Sequence, residues 1–123
     1  MKKTTFWSKD ESNKKQKHLR FVISDPNADG KVLLVNMTTV NNTGREDLSC
    51  ELFPGDHESV KHHSYIKYDR AFEFDSIKLL NEKFRGEIEC TDQISEKVLV
   101  KIQDGARKSP ALPEKFRSFF TYF

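Results

Sequence analysis

The chain has 123 residues, of which 36% are hydrophobic and 33% are charged. This length fits one domain spanning 1–123, and ten phenylalanines indicate a packed core, which excludes a disordered chain. A net charge of +2 allows nucleic-acid binding through a local basic patch but does not require it. Because the longest apolar run is Val32 to Val35, and no apolar segment follows Met1-Lys2-Lys3, we expect a cytoplasmic protein without membrane contact.

The first seventeen residues divide into two parts. Thr4 to Trp7 is compatible with a short strand, whereas Lys9 to Lys17 contains almost no apolar residue. One interpretation of the second part is a flexible, solvated loop. The other is a basic arm in which Lys14, Lys15 and Lys17 contact a phosphate backbone.

The middle of the chain has the pattern of short strands separated by turns. An Asp25–Gly30 turn separates the first two of them, which predicts a hairpin. The apolar centre of the second strand is nearly continuous, which favours burial on both faces, as in a small closed barrel. The predicted strands cover Leu19–Ser24, Lys31–Val40, Leu48–Phe53, His63–Tyr68 and Phe84–Thr91.

Residues 92–123 have a helical pattern. Apolar residues recur at helical spacing from Asp92 to Asp104, with Asp92 or Thr91 as N-cap and Gly105 just beyond the C-terminus. Phe116, Phe119 and Phe120 lie on one face of a second turn of helix, which predicts that they fill the core. The fold class is therefore mainly β, a small barrel of five to six strands with one or two C-terminal helices.

The segment from Cys50 to Tyr68 is rich in side chains that could carry chemistry. A metal site would combine Cys50 with Asp56, His57, His62 and His63. Adjacent residues of a strand point to opposite faces, so His62 and His63 would not bind one ion together. We therefore expect no metal and no other cofactor.

Two further interpretations of this segment concern single residues. His57 follows Asp56 directly, so it is either a proton-transfer group oriented by that carboxylate or part of an ordinary Pro-Gly turn. Cys50 is a candidate nucleophile, but it lies inside a strand pattern without the context of a catalytic cysteine, which favours a buried structural thiol.

Arg20 and two threonines form another candidate site. If the two strands pair across the Asp25–Gly30 turn, Arg20 lies opposite the segment that ends in Thr38 and Thr39. A guanidinium beside a hydroxyl suits phosphate binding, because arginine presents a fork of donors and keeps its charge.

These residues resemble the core of the PemK/MazF-like toxins. The resemblance covers Leu19 to Thr39, where Arg20 matches the strand arginine of the family and Thr39 or Thr38 matches its strand threonine. Phe21 and Asn36 stand where the family usually has proline. The resemblance implies an SH3-like barrel and a metal-independent endoribonuclease, usually a dimer neutralised by an antitoxin protein. It further implies that the arginine stabilises charge on the phosphate while the RNA 2′-hydroxyl attacks it.

The leading hypothesis is thus a toxin-like endoribonuclease of a toxin–antitoxin pair. Arg20, Thr39 and His57 or His62 would share one catalytic cleft. The residues expected to contact RNA are Lys14, Lys15, Lys17, Thr38 and Tyr65. The alternative is a non-catalytic module on the same barrel that binds protein or nucleic acid. Whether the chain is an enzyme depends on whether these side chains converge in one groove.

Overall fold

The computed structural model describes residues 1–9 and 17–120. It contains one antiparallel sheet of seven strands, two α-helices and two short 3₁₀ helices. The strands are β1 (Thr5–Lys9), β2 (Lys17–Val22), β3 (Lys31–Thr39), β4 (Glu51–Leu52), β5 (Ser64–Ile66), β6 (Phe72–Asp75) and β7 (Glu89–Thr91). The helices are α1 (Ser76–Phe84) and α2 (Glu96–Lys108), and the 3₁₀ segments are Tyr68–Arg70 and Glu114–Phe120.

The predicted mainly-β class is confirmed, but the sheet is open rather than a closed barrel. Its strand order is β4-β5-β3-β2-β1-β7, with β6 also paired to β3. The two end strands have two and three residues, so they offer few backbone groups for a closing ladder. Helices cover the faces of the sheet instead.

The central strand β3 organises the sheet. One edge pairs with β2 in the predicted hairpin, in which Arg20 lies opposite Asn36. The other edge is shared by β6, which pairs with Lys31–Leu34, and β5, which pairs with Met37–Thr39. Between β5 and β6 the chain leaves the sheet through the Tyr68–Arg70 turn.

The back face of the sheet packs against α2 to form the main core. Ser95 caps this helix by accepting a hydrogen bond from the Val98 amide, so the helix begins and ends four residues later than predicted. Gly105 consequently lies inside the helix and not beyond its end. Phe116 and Phe119 are buried in the same core, as predicted. The core members that α2 contributes are Val98, Leu99, Ile102 and Ala106.

The front face is only partly covered. A second apolar cluster, made of Phe6, Val22, Val32, Leu34 and Leu79, packs beneath α1. The Asp75 carboxylate caps α1 by accepting from the amides of Ile77 and Lys78 at 2.9 and 3.0 Å. Farther along the strands this cover ends, and polar side chains replace the apolar ones.

Candidate functional site

The front face carries a cavity of about 650 Å³, called the Arg20 cavity below. Some of its walls are apolar and others are polar. The apolar lining residues are Phe6, Leu34, Phe72, Phe74, Leu79 and Ile88. The polar lining residues are Ser8, His18, Arg20, Asn36, Thr38, Lys67, Arg70 and Glu82.

Strand register separates these two groups along the sheet. Cross-strand partners point to the same face, so Leu34 and its partner Phe72 form one apolar row. The next row brings Phe6, Arg20 and Asn36 side by side. Two residues farther, Ser8 lies opposite His18, and Thr38 follows Asn36 on the same face of β3. The cavity therefore has an aromatic end and a polar end.

Arg20 is held between a hydroxyl and an aromatic ring. Its Nε donates a hydrogen bond to Ser8 Oγ. Its guanidinium carbon lies 4.9 Å from the centre of the Phe72 ring, within the range of a cation–π interaction. These contacts fix the guanidinium plane at the boundary between the two ends of the cavity.

The charges that line the cavity are mainly positive. The described lining residues include three basic side chains, Arg20, Lys67 and Arg70, and one carboxylate, Glu82. Lys67 and Arg70 reach the cavity because the 3₁₀ turn after β5 carries them over the edge of β3. Such a group of cations favours an anionic ligand, and arginine in particular suits phosphate.

Asn36 contributes a buried amide to the floor of the cavity. The residue is only 4% exposed, and its main-chain oxygen accepts a hydrogen bond from the Lys67 amide at 3.0 Å. Its side-chain Oδ1 is buried and has no hydrogen-bond partner within residues 1–9 and 17–120. Buried polar atoms in proteins are nearly always paired, so this atom marks a position where a ligand could donate.

The structure brings together some of the residues predicted from the sequence. Arg20 and Thr38 line the same cavity. Tyr65 is the register partner of Thr38 and lies on the same face, next to the cavity. Partial burial and the nearby carboxylates of Glu46, Asp69 and Asp47 raise the pKa of Tyr65. Its phenol therefore stays protonated at neutral pH and can donate a hydrogen bond.

Other predicted residues lie elsewhere. Thr39 is exposed, and because side chains alternate along β3 it points away from the Arg20 face. Lys17 is exposed at the start of β2, where it pairs with Glu89 at 3.2 Å. Lys14 and Lys15 lie outside the described residues.

The predicted histidines do not join Arg20. His57 is buried behind the sheet, with its ring 6.5 Å from that of Phe21, a residue of the opposite face. Its Nδ1 accepts from the Ser59 amide at 3.0 Å, so its Nε2 carries the hydrogen that is donated to the Asp92 carbonyl at 2.6 Å. His57 thus ties a loop to the chain before α2. His62 is exposed on the loop before β5 and does not line the cavity.

The other groups of the Cys50–Tyr68 segment also have structural surroundings. Burial raises the pKa of the Cys50 thiol to about 11, which agrees with a structural thiol and not a nucleophile. His63 stacks on Phe53 and contacts the Glu51 carboxylate at 2.9 Å. In the described part of the chain, no three His, Cys, Asp or Glu side chains are grouped in a way that could hold a metal ion.

The polar lining residues that were not predicted from the sequence are Ser8, His18, Asn36, Lys67, Arg70 and Glu82. His18 could have been found, because it lies two residues before Arg20 and so shares its face. Asn36 stands out as a polar residue within an apolar strand. No local sequence pattern indicates that Lys67 and Arg70 line the cavity. Their position depends on the place where the chain leaves the sheet, between its pairing with β3 as β5 and its pairing with β3 as β6.

No protein-family profile, no curated protein and no solved structure matches the chain. Over the described residues, no helix is both long enough and apolar enough to cross a membrane.

Proposed function

We propose that the protein binds single-stranded RNA in the Arg20 cavity. The supporting observation is that Arg20, Lys67 and Arg70 line the same cavity as Phe72 and Phe74, with the Arg20 guanidinium carbon 4.9 Å from the centre of the Phe72 ring. Single-stranded nucleic acids are bound by this combination, with cations along the phosphates and aromatic rings against the bases. A duplex would keep its bases stacked and away from the rings, so an unpaired strand fits better.

Arg20 provides the test of this proposal. A labelled single-stranded RNA is titrated with the wild-type protein and with Arg20→Gln, and binding is followed by fluorescence anisotropy. A hydrogen bond to a charged group contributes about 1.5–3 kcal/mol, so the substitution should weaken binding about tenfold to a hundredfold.

The matched control is Arg107→Gln on α2. Arg107 pairs with Asp104 at 2.8 Å on the helix that covers the back face, so its loss should change binding less than about twofold. Absence of RNA binding by the wild-type protein at low salt would refute the proposal. Equal losses of RNA affinity in Arg20→Gln and Arg107→Gln would show that RNA is held by non-specific charge attraction and not in the Arg20 cavity.

RNA cleavage is the second candidate function, and the position of His18 favours it. His18, Arg20 and Thr38 line one cavity, so a proton acceptor lies beside a phosphate-binding guanidinium and a hydroxyl. In this reaction the 2′-oxygen bonds to the adjacent phosphorus, and the bond from phosphorus to the 5′-oxygen breaks. His18 takes the 2′-hydroxyl proton, and water supplies the proton that the 5′-oxygen gains. The products are a 2′,3′-cyclic phosphate and a 5′-hydroxyl.

Cleavage is tested on denaturing gels with end-labelled RNA. We expect the wild-type protein to shorten the RNA without added metal, and His18→Ala to bind RNA but leave it intact. Intact RNA with the wild-type protein would refute cleavage while leaving the binding proposal in place.

A cleaving enzyme of this kind would extend the resemblance to the PemK/MazF-like toxins. The protein would then act in the cytoplasm as a homodimer, and an antitoxin protein would neutralise it. The corresponding test is induction in a bacterium, where the wild type should stop growth and degrade RNA and Arg20→Ala should do neither. Normal growth and intact RNA in both strains would refute the toxin assignment.

A further inference from the structure

Asn36 is the most deeply buried polar side chain that faces the Arg20 cavity. It is 4% exposed, and its Oδ1 finds no donor in the described part of the chain. An unpaired buried acceptor is costly, so a ligand that supplies a donor at this point gains more than one that does not. A ligand that occupies the cavity is one source of this donor.

The neighbours of Asn36 define which part of a ligand reaches it. Asn36 is the register partner of Arg20, so the two side chains leave adjacent strands side by side on one face. An anion held by Arg20 therefore lies next to the Asn36 amide. Phe6 lies in this same row on the other side of Arg20, and the next aromatic side chain, Phe72, lies one row farther, beside Leu34.

We infer that Asn36 makes the cavity selective for ribose over deoxyribose by accepting a hydrogen bond from the 2′-hydroxyl. This inference rests on the proposed function, in which Arg20 binds a phosphate of RNA. The 2′-hydroxyl sits on the carbon next to the one that bears the 3′-phosphate, so phosphate binding at Arg20 brings it beside Asn36. The donors of a base lie farther from the phosphate, toward the aromatic end. The 2′-hydroxyl is also the group that distinguishes RNA from DNA.

The test compares three oligonucleotides of one sequence: ribose, deoxyribose and 2′-fluoro-ribose. The 2′-fluoro strand keeps the sugar conformation of RNA but has no hydroxyl donor. We expect the wild-type protein to bind the ribose strand about tenfold more tightly than either of the others, the effect of leaving one buried acceptor unpaired. Equal binding of the ribose and 2′-fluoro strands overturns the inference, although the proposed function stands.

Asn36→Leu assigns the selectivity to this residue. The side chain keeps its approximate size but loses the acceptor, so we expect the variant to bind all three strands equally. Asn81→Leu, at an exposed position of α1, should keep the tenfold preference. A preference that persists in Asn36→Leu overturns the inference. If Asn36→Leu does not fold, the affinities of the wild-type protein for the ribose, deoxyribose and 2′-fluoro strands still test the inference. A wild-type protein that binds none of the strands refutes both the proposed function and this inference.

Discussion

Gly105 is the position where the structure predicts a large effect of one methyl group. Gly105 lies inside α2, against the segment that carries Cys50 and against Tyr68. A Cβ at this position would lie 2.7 Å from Cys50 Cβ and 2.9 Å from the Ser49 carbonyl oxygen, and it would also meet the Tyr68 hydroxyl. The Tyr68 hydroxyl donates a hydrogen bond to the Ile102 carbonyl at 2.7 Å, so a shift of Tyr68 would break this buried hydrogen bond.

These contacts set the expected cost of Gly105→Ala. In an exposed helix the substitution would stabilise the protein by about 1 kcal/mol. Here overpacking costs about 1–3 kcal/mol, and the lost hydrogen bond about 1 kcal/mol more. We therefore expect the free energy of unfolding to fall by about 2 kcal/mol, which lowers the melting temperature by about 8 °C.

Urea denaturation and thermal melting measure this effect. Val100→Ala, at an exposed position of the same helix, is the control and should change stability by less than about 0.5 kcal/mol. Tyr68→Phe removes one of the atoms that the new methyl group meets. The double variant should therefore lose less stability than the two single losses together. A Gly105→Ala protein that is as stable as the wild type would contradict the close packing of α2.

Three other predictions follow from individual contacts. His57→Leu should lower the free energy of unfolding by about 1–3 kcal/mol in urea denaturation, because the His57 ring forms hydrogen bonds with Ser59 and Asp92 behind the sheet. RNA binding should stay unchanged, and weaker RNA binding by a folded variant would contradict this prediction. Although desolvation opposes it, hydrogen bonding by Thr43 and other loop groups lowers the pKa of Glu46 to about 2, so this carboxylate stabilises the fold above about pH 4.5 and loses that effect as the pH falls toward 2. Glu46→Gln should flatten the acid-denaturation profile in that window, and an unchanged profile would contradict it. Lys67→Gln should reduce the slope of log affinity against log salt by about 0.7, the value for one phosphate of a single strand, and an unchanged slope would exclude its contact with the backbone.

The hairpin of β2 and β3 was predictable because local signals agree. Two apolar strands flank a turn that ends in Gly30, whose φ of +74° suits glycine, and together they set Arg20 against Asn36. Arg20 and Thr38, two of the eight polar lining residues, were therefore predicted from the sequence, and His18 belongs to the same alternation along β2.

The errors concern contacts between distant segments. Gly105 resembles a residue that ends a helix, but α2 continues through it because the absence of a side chain allows close packing against Cys50 and Tyr68. His57 was expected beside Arg20, yet its loop folds behind the sheet to meet Asp92, a residue far along the chain. No local sequence pattern indicates that Gly105 packs against Cys50 and Tyr68 or that His57 bonds to Asp92.

The open sheet has a similar explanation. A continuous apolar run in β3 indicates burial on both faces, which is correct, since α2 covers one face and α1 part of the other. Burial on both faces is also expected of a strand in a closed barrel. The pattern therefore predicts the surroundings of the strand and not the closure of the sheet.

The most direct test of RNA binding in the Arg20 cavity is photo-cross-linking. A single-stranded RNA containing 4-thiouridine is irradiated in complex with the protein, and the linked peptides are identified by mass spectrometry. We expect cross-links on the aromatic lining residues Phe6, Phe72 and Phe74, and their loss in Arg20→Gln. Cross-links confined to α2 and the back face, or unchanged in Arg20→Gln, would contradict the proposed site.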